Sequence, residues 1–571
     1  MIDAPLAISG SRIPAETRAS HAFHIPGHEA RPNILLMTTD QQRFDTIRAA
    51  GYPHMHTPNL DRLAAQGCLY ERAYSPNPIC LAARHSLIAG CYANRHGMPD
   101  NGVGNGLPAA LPTLPRILSD NGYDTRAIGK MHFIPARRHN GFLKMELMEE
   151  LPPTREEDEY AMYLKDVGLG HIQNIHGVRN LLYMLPQRSL IPHEHHGTTW
   201  VGDRTIDYLQ RNQGRQPFFL WASWIAPHPP FDIIDRFADL YQDADLPAPY
   251  FSETPLPALA QENAMLGDIP DGRYMRRMRE VYYAAVSMVD EQVGRILDTL
   301  EETGQLDNTL IIFTSDHGEL LGDYGLYQKW LPYDSAARVP FIVRFPERVA
   351  PGSRATDFVD LLDILPTALD VAGVEYPGDN PLPGASLFRE GGRDRSIQYL
   401  EYARHNRRWI SLRNETHKYN YYYGGGVEQL FDMGSDPHET TNLLHGEPDA
   451  QALSARETLK SQLVAYERQH GLEGYVDGGD FKPADPYKPH PQRNEAFQRF
   501  LLQIMDPAER AQMNSLNEEI LLATADEPVV RLRELDYRTW QRKFDVSEET
   551  MQQLLETDDH RHREQEKDAL Q

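Results

Sequence analysis

The sequence predicts an α/β protein: an open, mostly parallel sheet flanked by helices, then a smaller antiparallel sheet, then a helical C-terminal extension. Three observations predict it. From about residue 31, short apolar runs alternate with helical patterns, the mark of repeated βαβ units. Around residues 375–395 the chain turns rich in Pro and Gly, which suits a linker. Beyond that linker, aromatic-rich runs of strand length replace the alternation.

Residues 1–30 are read as a separate N-terminal segment, and the α/β domain spans 31–375. Ile34-Leu35-Leu36-Met37 is a buried strand closing on Thr38-Thr39-Asp40. Thr125-Arg126-Ala127-Ile128 runs into Gly129-Lys130, and Phe218-Phe219-Leu220-Trp221 precedes Pro227-His228. Tyr282, Ala285, Val286, Val289, Val293, Ile296, Leu297 and Leu300 recur at helical spacing ahead of the next strand, Thr309–Phe313, which closes on Ser315-Asp316-His317-Gly318. Phe341-Ile342-Val343 follows. In an α+β subdomain over 390–470, Arg408–Leu412, His417–Tyr423 and Glu428–Asp432 read as antiparallel strands, with a helix near 449–470. The extension over 471–571 opens Pro-rich and then carries helical patterns anchored by Phe497, Phe500, Leu501, Ile504, Ile520, Leu521, Leu535, Trp540 and Phe544. Its apolar content suits an arm that wraps a second subunit, giving a homo-oligomer, dimer or tetramer; packing back on its own chain is the alternative.

At 571 residues, 40% hydrophobic and 24% charged, the chain can bury a sizeable core. Its 57 Lys and Arg against 82 Asp and Glu give a net charge of −25, which argues against nucleic acid or an anionic membrane as bulk partners. No run approaches the roughly 20 apolar residues of a spanning helix. The first thirty residues have neither a basic n-region nor an apolar h-region, so the chain reads as cytoplasmic, with the periplasm as the alternative. Three cysteines, Cys68, Cys80 and Cys91, make no disulfide framework and no CxxC metal pair.

In an open parallel sheet the ligand crevice lies beyond the carboxyl ends of the strands. Asp40, Lys130, His228 and the pair Asp316-His317 all sit just past such ends, so the topology would gather carboxylates, imidazoles and an ammonium at one sheet edge. Singly, each would be an ordinary cap, turn former or surface group; jointly they define a site. Cys80 opens a helical stretch after Ser75-Pro76-Asn77-Pro78, and Arg84 lies one turn on. A helix N-terminus with an arginine favours an anion, and it places a reactive sulfur at its mouth. Cys68 and Cys91 lack such neighbours and read as buried packing residues. His193-Glu194-His195-His196 reads as a loop at the pocket rim rather than a metal set. Asn414-Glu415-Thr416 is read as a chance sequon.

The order Pro32-Asn33-Ile34-Leu35-Leu36-Met37-Thr38-Thr39-Asp40-Gln41-Gln42, Cys80-x-Ala82-x-Arg84, Gly129-Lys130-Met131-His132, Pro227-His228-Pro229-Pro230-Phe231 and Ser315-Asp316-His317-Gly318-Glu319, with Lys329 behind it, resembles the sulfatase family. Glu428–Asp432 with Asp436–Leu443 resembles that family's C-terminal sheet. The branch it is most similar to holds arylsulfatases and phosphonate monoester hydrolases.

The resemblance implies an alkaline-phosphatase-like fold and a cysteine, Cys80, converted to formylglycine by a maturation enzyme. It assigns Asp40, Asp316 and His317, completed by residue 80 and Gln41, to one divalent metal. Gln41, where many members have a second Asp, lowers the ligand charge. His317, where calcium-using members often have Asn, leaves calcium and manganese both open. By the same resemblance Arg84, Lys130 and Lys329 neutralise the oxygens of a sulfate or phosphonate ester, and Asp316 takes a proton from the formylglycine hydrate. His228 or Lys329 protonates the leaving oxygen, His132 assists release of the sulfate, and Asn101 donates to the substrate. The usual modification signal is Cys-x-Pro-x-Arg, and Ala82 at its centre resembles the sequences served by a radical maturase. The implied activity is sulfate monoester hydrolysis with side activity on phosphonate monoesters and phosphate diesters. The rivals are a phosphonate monoester hydrolase or phosphodiesterase as the main activity, and a catalytically silent relative.

Overall fold

Ile34, Leu35, Leu36 and Met37 are all buried, as expected of a strand covered on both faces. In the computed structural model they lie in β1 (Asn33–Asp40), in the interior of a large sheet. The structure describes residues 31–489, apart from 102–103, 153, 173, 178–183, 185, 264–271 and 390–394, together with 547–549 and 552. The apolar anchors expected between Phe497 and Phe544 lie outside the described residues, as does the N-terminal segment 1–30.

The other strands of this sheet are β2 (Cys68–Tyr74), β3 (Asp124–Gly129), β4 (Lys144–Leu147), β5 (Phe218–Pro227), β6 (Thr309–Ser315), β7 (Phe341–Arg344) and β8 (Ser353–Asp360). Their spatial order is β8-β2-β7-β6-β1-β5-β3-β4. β1 runs parallel to both β5 and β6, whereas β7 is antiparallel to β6 and to β2. The sheet is therefore mixed and mostly parallel, which leaves the carboxyl ends of β1 to β6 and β8 along one edge.

Alternation along the strands decides which cluster each side chain joins. Ile34, Leu36, Phe219, Trp221, Leu310 and Ile312 pack on one face with Leu87 and Ile88 of α1 (Cys80–Ala89), and with Ile364, Leu365 and Ala368. Leu35, Met37, Leu220, Ile311 and Phe313 point to the other face, against Trp200, Val201 and Leu209 of α2 (Gly197–Asn212) and Val289, Val293, Ile296, Leu297 and Leu300 of α3 (Gly272–Glu302). Each such side chain, fully buried, contributes about 1.5–3 kcal/mol, so the edge that carries the polar residues rests on a double-faced apolar slab. Gly129 ends β3 with φ +96°, and a Cβ there would lie 1.9 Å from the Ser223 carbonyl oxygen on β5. Only glycine lets the two strands stay paired up to Lys130.

The smaller sheet has the order β9 (Gln398–Tyr402), β10 (Trp409–Arg413), β11 (His417–Tyr422) and β12 (Val427–Asp432), all antiparallel, and α4 (Ala450–His470) lies against it. A buried ionic knot ties this sheet to the large domain. Lys418 Nζ pairs with Asp334 Oδ1 at 2.9 Å and Glu439 Oε1 at 2.8 Å, and Arg413 Nη1 reaches Asp334 Oδ2 at 2.6 Å. Lys418→Met would take from Asp334 and Glu439 the one ammonium that pairs with both, and should cost about 3–5 kcal/mol. Chemical denaturation of the variant beside an exposed-pair control, Arg116→Ala, checks this; equal effects would show that the knot is not a fastening. No helix among the described residues is long and apolar enough to cross a membrane.

Candidate active site

The carboxyl edge of the large sheet delivers its polar residues to one place. β1 ends on Asp40, β6 is followed by Asp316 and His317, β3 by Lys130, and β5 by His228. The chain turns at Gln41 with φ +69°, a left-handed conformation uncommon outside glycine, so the side chains after Asp40 turn back over the strand ends. α1 begins at Cys80, without a side-chain cap, and all ten of its residues are buried. Its first turn is served instead by Asn101, whose Oδ1 accepts from the Leu81 amide at 3.3 Å. Lys329 comes from the loop after β6, between Gln328 and Trp330, whose φ values are +70° and +75°. Asn263 Nδ2 braces that loop by donating to the Tyr327 and Lys329 carbonyls at 2.7 and 2.6 Å.

Asp40, Cys80, Asp316 and His317 each offer one ligand atom within 4.8 Å of the others. His317 Nε2 is 3.3 Å from Cys80 Sγ. Arg84 is wholly buried and spends its donors on this set: Nε on Asp316 Oδ2 at 2.7 Å, Nη2 on Asp40 Oδ2 at 3.3 Å, and Nη1 on the Lys130 carbonyl at 2.5 Å and Ser223 Oγ at 2.8 Å. The arginine thus organises the carboxylates. Lys130 Nζ lies 2.7 Å from Asp40 Oδ2 and 2.6 Å from Glu150 Oε2. Lys329 Nζ donates to Gln41 Oε1 at 2.5 Å and meets His228 Nε2 at 2.9 Å. Gln41 Nε2 donates to Glu319. His132 lies beside Cys80 and favours its anionic form, while its backbone amide donates to Glu149 Oε1 at 2.9 Å.

Among the four groups Asp40, Cys80, Asp316 and His317 one atom is unusual: Asp40 Oδ1 is buried and accepts no hydrogen bond. A buried carboxylate oxygen left bare is costly, and here it faces three other groups of metal-ligating chemistry. Two carboxylates, an imidazole and residue 80 are a donor set that fits a divalent cation. Gln41 lies next to this set, its amide held between Lys329 and Glu319. The histidines of His193–His196 go separate ways, to Glu291, Tyr163 and Asp232, and form no ligand set.

A model described as Sulfatase matches residues 32–374, and one described as N-sulphoglucosamine sulphohydrolase, C-terminal, matches 322–469. An arylsulfatase of Clostridium perfringens is 31% identical over 477 residues, covering 78% of this chain and 96% of that protein. The chain belongs to the sulfatase family. Choline-sulfatase of Rhizobium meliloti is 30% identical, with 72% of this sulfatase and 82% of that protein covered. Among solved structures, phosphonate monoester hydrolase of Agrobacterium radiobacter is similar with a TM-score of 0.64 and 25% identity, covering 78% of this chain and 98% of that one. The alkaline-phosphatase-like fold expected from the motifs is the fold of this sulfatase.

The field in the site favours anions at residue 80. Burial pushes the Cys80 thiol up, but Lys329, Lys130, His317 and the His132 hydrogen bond outweigh it and hold the group well below the usual thiol range. Asp40 is likewise held below the usual carboxylate range: burial and Cys80 oppose ionisation, and Lys130, His228 and Arg84 overcome them. Asp316 is pushed up, by burial and by Asp40 beside it. Burial pushes His228 down, with the Lys329 and Lys130 charges adding to it, so its imidazole is neutral near pH 7.

All the residues expected at the site are gathered there, Asn101 at its exposed rim. Glu150, Glu319 and Ser223 were missed. Glu150 obeys the same end-of-strand rule, three residues past β4, but Lys144-Met145-Glu146-Leu147 is too short and too polar to announce a strand. Glu319 stands inside a quoted motif, yet nothing in its spacing says that it grips Gln41.

Proposed function

We propose that this sulfatase hydrolyses sulfate monoesters, using formylglycine made from Cys80 and one divalent cation, calcium or manganese. Asp40, Asp316, His317 and residue 80 hold the cation, with Gln41 completing the set. The observation that carries the reading is the bare Asp40 Oδ1 within a buried four-group ligand set. The cation, when bound, supplies a Lewis acid for a sulfuryl oxygen, and the hydrated aldehyde, when formed, supplies the nucleophilic oxygen.

The chain's own residues do the rest. Lys130 and Lys329 place ammonium groups where negative charge builds up on the ester oxygens. An Asp316 oxygen lies within 4.8 Å of residue 80 and is pushed toward protonation, which suits it to take a proton from that residue. His228 Nδ1 is 2.5 Å from the Pro229 carbonyl, which can only accept, so the proton sits on Nδ1 and Nε2 faces Lys329 with its lone pair. The resting donor toward the leaving oxygen is therefore the Lys329 ammonium, with His228 Nε2 as its partner. His132, beside residue 80, assists the return of that residue to its starting form.

A phosphonate monoester or phosphate diester as main substrate is the second reading. It is favoured by the similarity to the Agrobacterium hydrolase and by the shared single charge of these esters. A silent relative would have no need to keep this ligand set intact. Mass spectrometry of the tryptic peptide Ala73–Arg84 with aldehyde trapping tests the reading. The aldehyde is expected at residue 80; a wholly unmodified thiol in protein from the native host would move the assignment to a metal-dependent phosphoester enzyme or a silent relative.

A further inference from the structure

Lys329 stands in a stretch of backbone that would not keep its shape alone. Gln328 and Trp330 on either side of it have φ values of +70° and +75°, in the left-handed region that a bulky side chain enters only under constraint. The constraint can be followed bond by bond. The peptide joining Lys329 to Trp330 is gripped at both ends: its carbonyl accepts from Asn263 Nδ2 at 2.6 Å, and its N–H donates at 3.2 Å to the carbonyl of Pro78, two residues ahead of Cys80. The next carbonyl, that of Trp330, accepts from the indole Nε1 of Trp409 at 2.7 Å. Trp409 is wholly buried at the start of β10, so this bond comes from the smaller sheet and not from the domain that holds the ligand set. Two residues earlier, Arg407 supports the same loop indirectly. Its Nη2 lies 3.1 Å from Oε2 of Glu262, the neighbour of Asn263, and its Nη1 lies 2.8 Å from Oδ2 of Asp100, the neighbour of Asn101.

We propose that Trp409 is a positioning residue for Lys329, and that the smaller sheet thereby helps to fix where the leaving oxygen receives its proton. Taking away the indole N–H removes one of the bonds that hold the left-handed turn at Trp330. Relaxation of that turn shifts the Lys329 ammonium from its 2.9 Å contact with His228 Nε2. The inference rests on the reading of Lys329 as the donor toward the leaving oxygen. It carries a signature that general damage to the pocket would not produce. A misplaced acid costs most where the leaving oxygen most needs a proton, and little where the departing anion is stable by itself.

Phenyl sulfate, with a poor leaving group, and 4-nitrophenyl sulfate, with a good one, are compared in the mature, metal-loaded enzyme. Lys329→Ala sets the scale: the ratio of kcat/KM for the nitrophenyl over the phenyl ester should rise at least about a hundredfold, the low end of what a positioned acid contributes. Trp409→Phe keeps an aromatic ring and drops the indole N–H. It should raise the same ratio at least about fivefold, a part of the full contribution of the acid, and should raise it no further in the Lys329→Ala background. A Trp409→Phe ratio equal to that of the wild type, whether both esters slow alike or neither slows, overturns the proposal. Should Trp409→Phe fail to fold, Arg407→Met at its partly exposed position repeats the comparison: a smaller rise in the same direction is expected, and an unchanged ratio again counts against the proposal. If the wild type hydrolyses neither ester, or if Lys329→Ala leaves the ratio unchanged, the reading of Lys329 fails by itself. A crystal structure of Trp409→Phe, or of Arg407→Met, then decides the positioning: Lys329 Nζ displaced from His228 Nε2 supports it, and Lys329 unmoved overturns it.

Discussion

Cys80→Ala should lower kcat for an aryl sulfate by about four to six orders of magnitude, the scale seen when a nucleophile is removed from a working site. The loss comes from chemistry rather than from unfolding. Residue 80 occupies the first position of α1, where the backbone hydrogen bonds of the helix do not depend on its side chain, and the Asn101 bond goes to the Leu81 amide. Removing one sulfur from a buried position costs about 1 kcal/mol or so, a few degrees in the melting midpoint at most for a chain of this size. Steady-state kinetics beside a thermal melt read the two separately. Wild-type rates in the variant would remove residue 80 from the mechanism, and a collapsed melt would place it in the core instead. Loss of sulfate and phosphonate ester hydrolysis by the same factor would show that one site serves both.

Asp316→Asn should abolish metal retention and lower activity at least about a thousandfold. The change keeps the shape of the side chain and removes one of the two carboxylate charges in the ligand set, where loss even of an outer partner lowers metal affinity about 10–100-fold. Arg84 would keep Asp40 but lose its shorter contact, the 2.7 Å bond to Asp316 Oδ2. Metal content after dialysis against a weak chelator gives the direct readout. A second comes from linkage: a ligand bound only by the folded state raises the melting midpoint in proportion to ln(1 + [L]/Kd), so added manganese or calcium should raise the midpoint of the wild type and leave Asp316→Asn unmoved. An equal rise in both proteins would put the cation elsewhere.

The layout of the site was legible because most of its members obey one topological rule. Asp40, Lys130, His228 and Asp316 stand immediately after apolar runs that could only be buried strands, and strands of one parallel sheet deliver their ends to one edge. The chemistry was less legible. Nothing in Cys80 and Arg84 alone distinguishes a modified nucleophile from a packed thiol, and that role came from the resemblance. Other features left weak traces in the sequence. β8 starts Ser353-Arg354-Ala355-Thr356-Asp357, a polar stretch suited to a sheet margin, and β7 reads identically whether it runs parallel or antiparallel to its neighbours. Pairings such as Glu319 with Gln41, or Arg84 with both carboxylates, are contacts between distant segments that no local period encodes.

The central place of β1 bears on how the chain is made. Its Asn33 is partnered with Thr309, 276 residues later, and Cys80 meets His317 across 237 residues. At a ribosomal rate of about 5–20 residues per second, residue 80 leaves the ribosome on the order of ten to fifty seconds before its partner strand exists. Ile34 to Met37 can pair on one side once β5 has been made, but their other side, and the contact of Cys80 with His317, wait for β6. The late arrival of β6 therefore sets a clock: it fixes how long residue 80 stays open to solvent chemistry, and how long one edge of an apolar strand must be kept from aggregating.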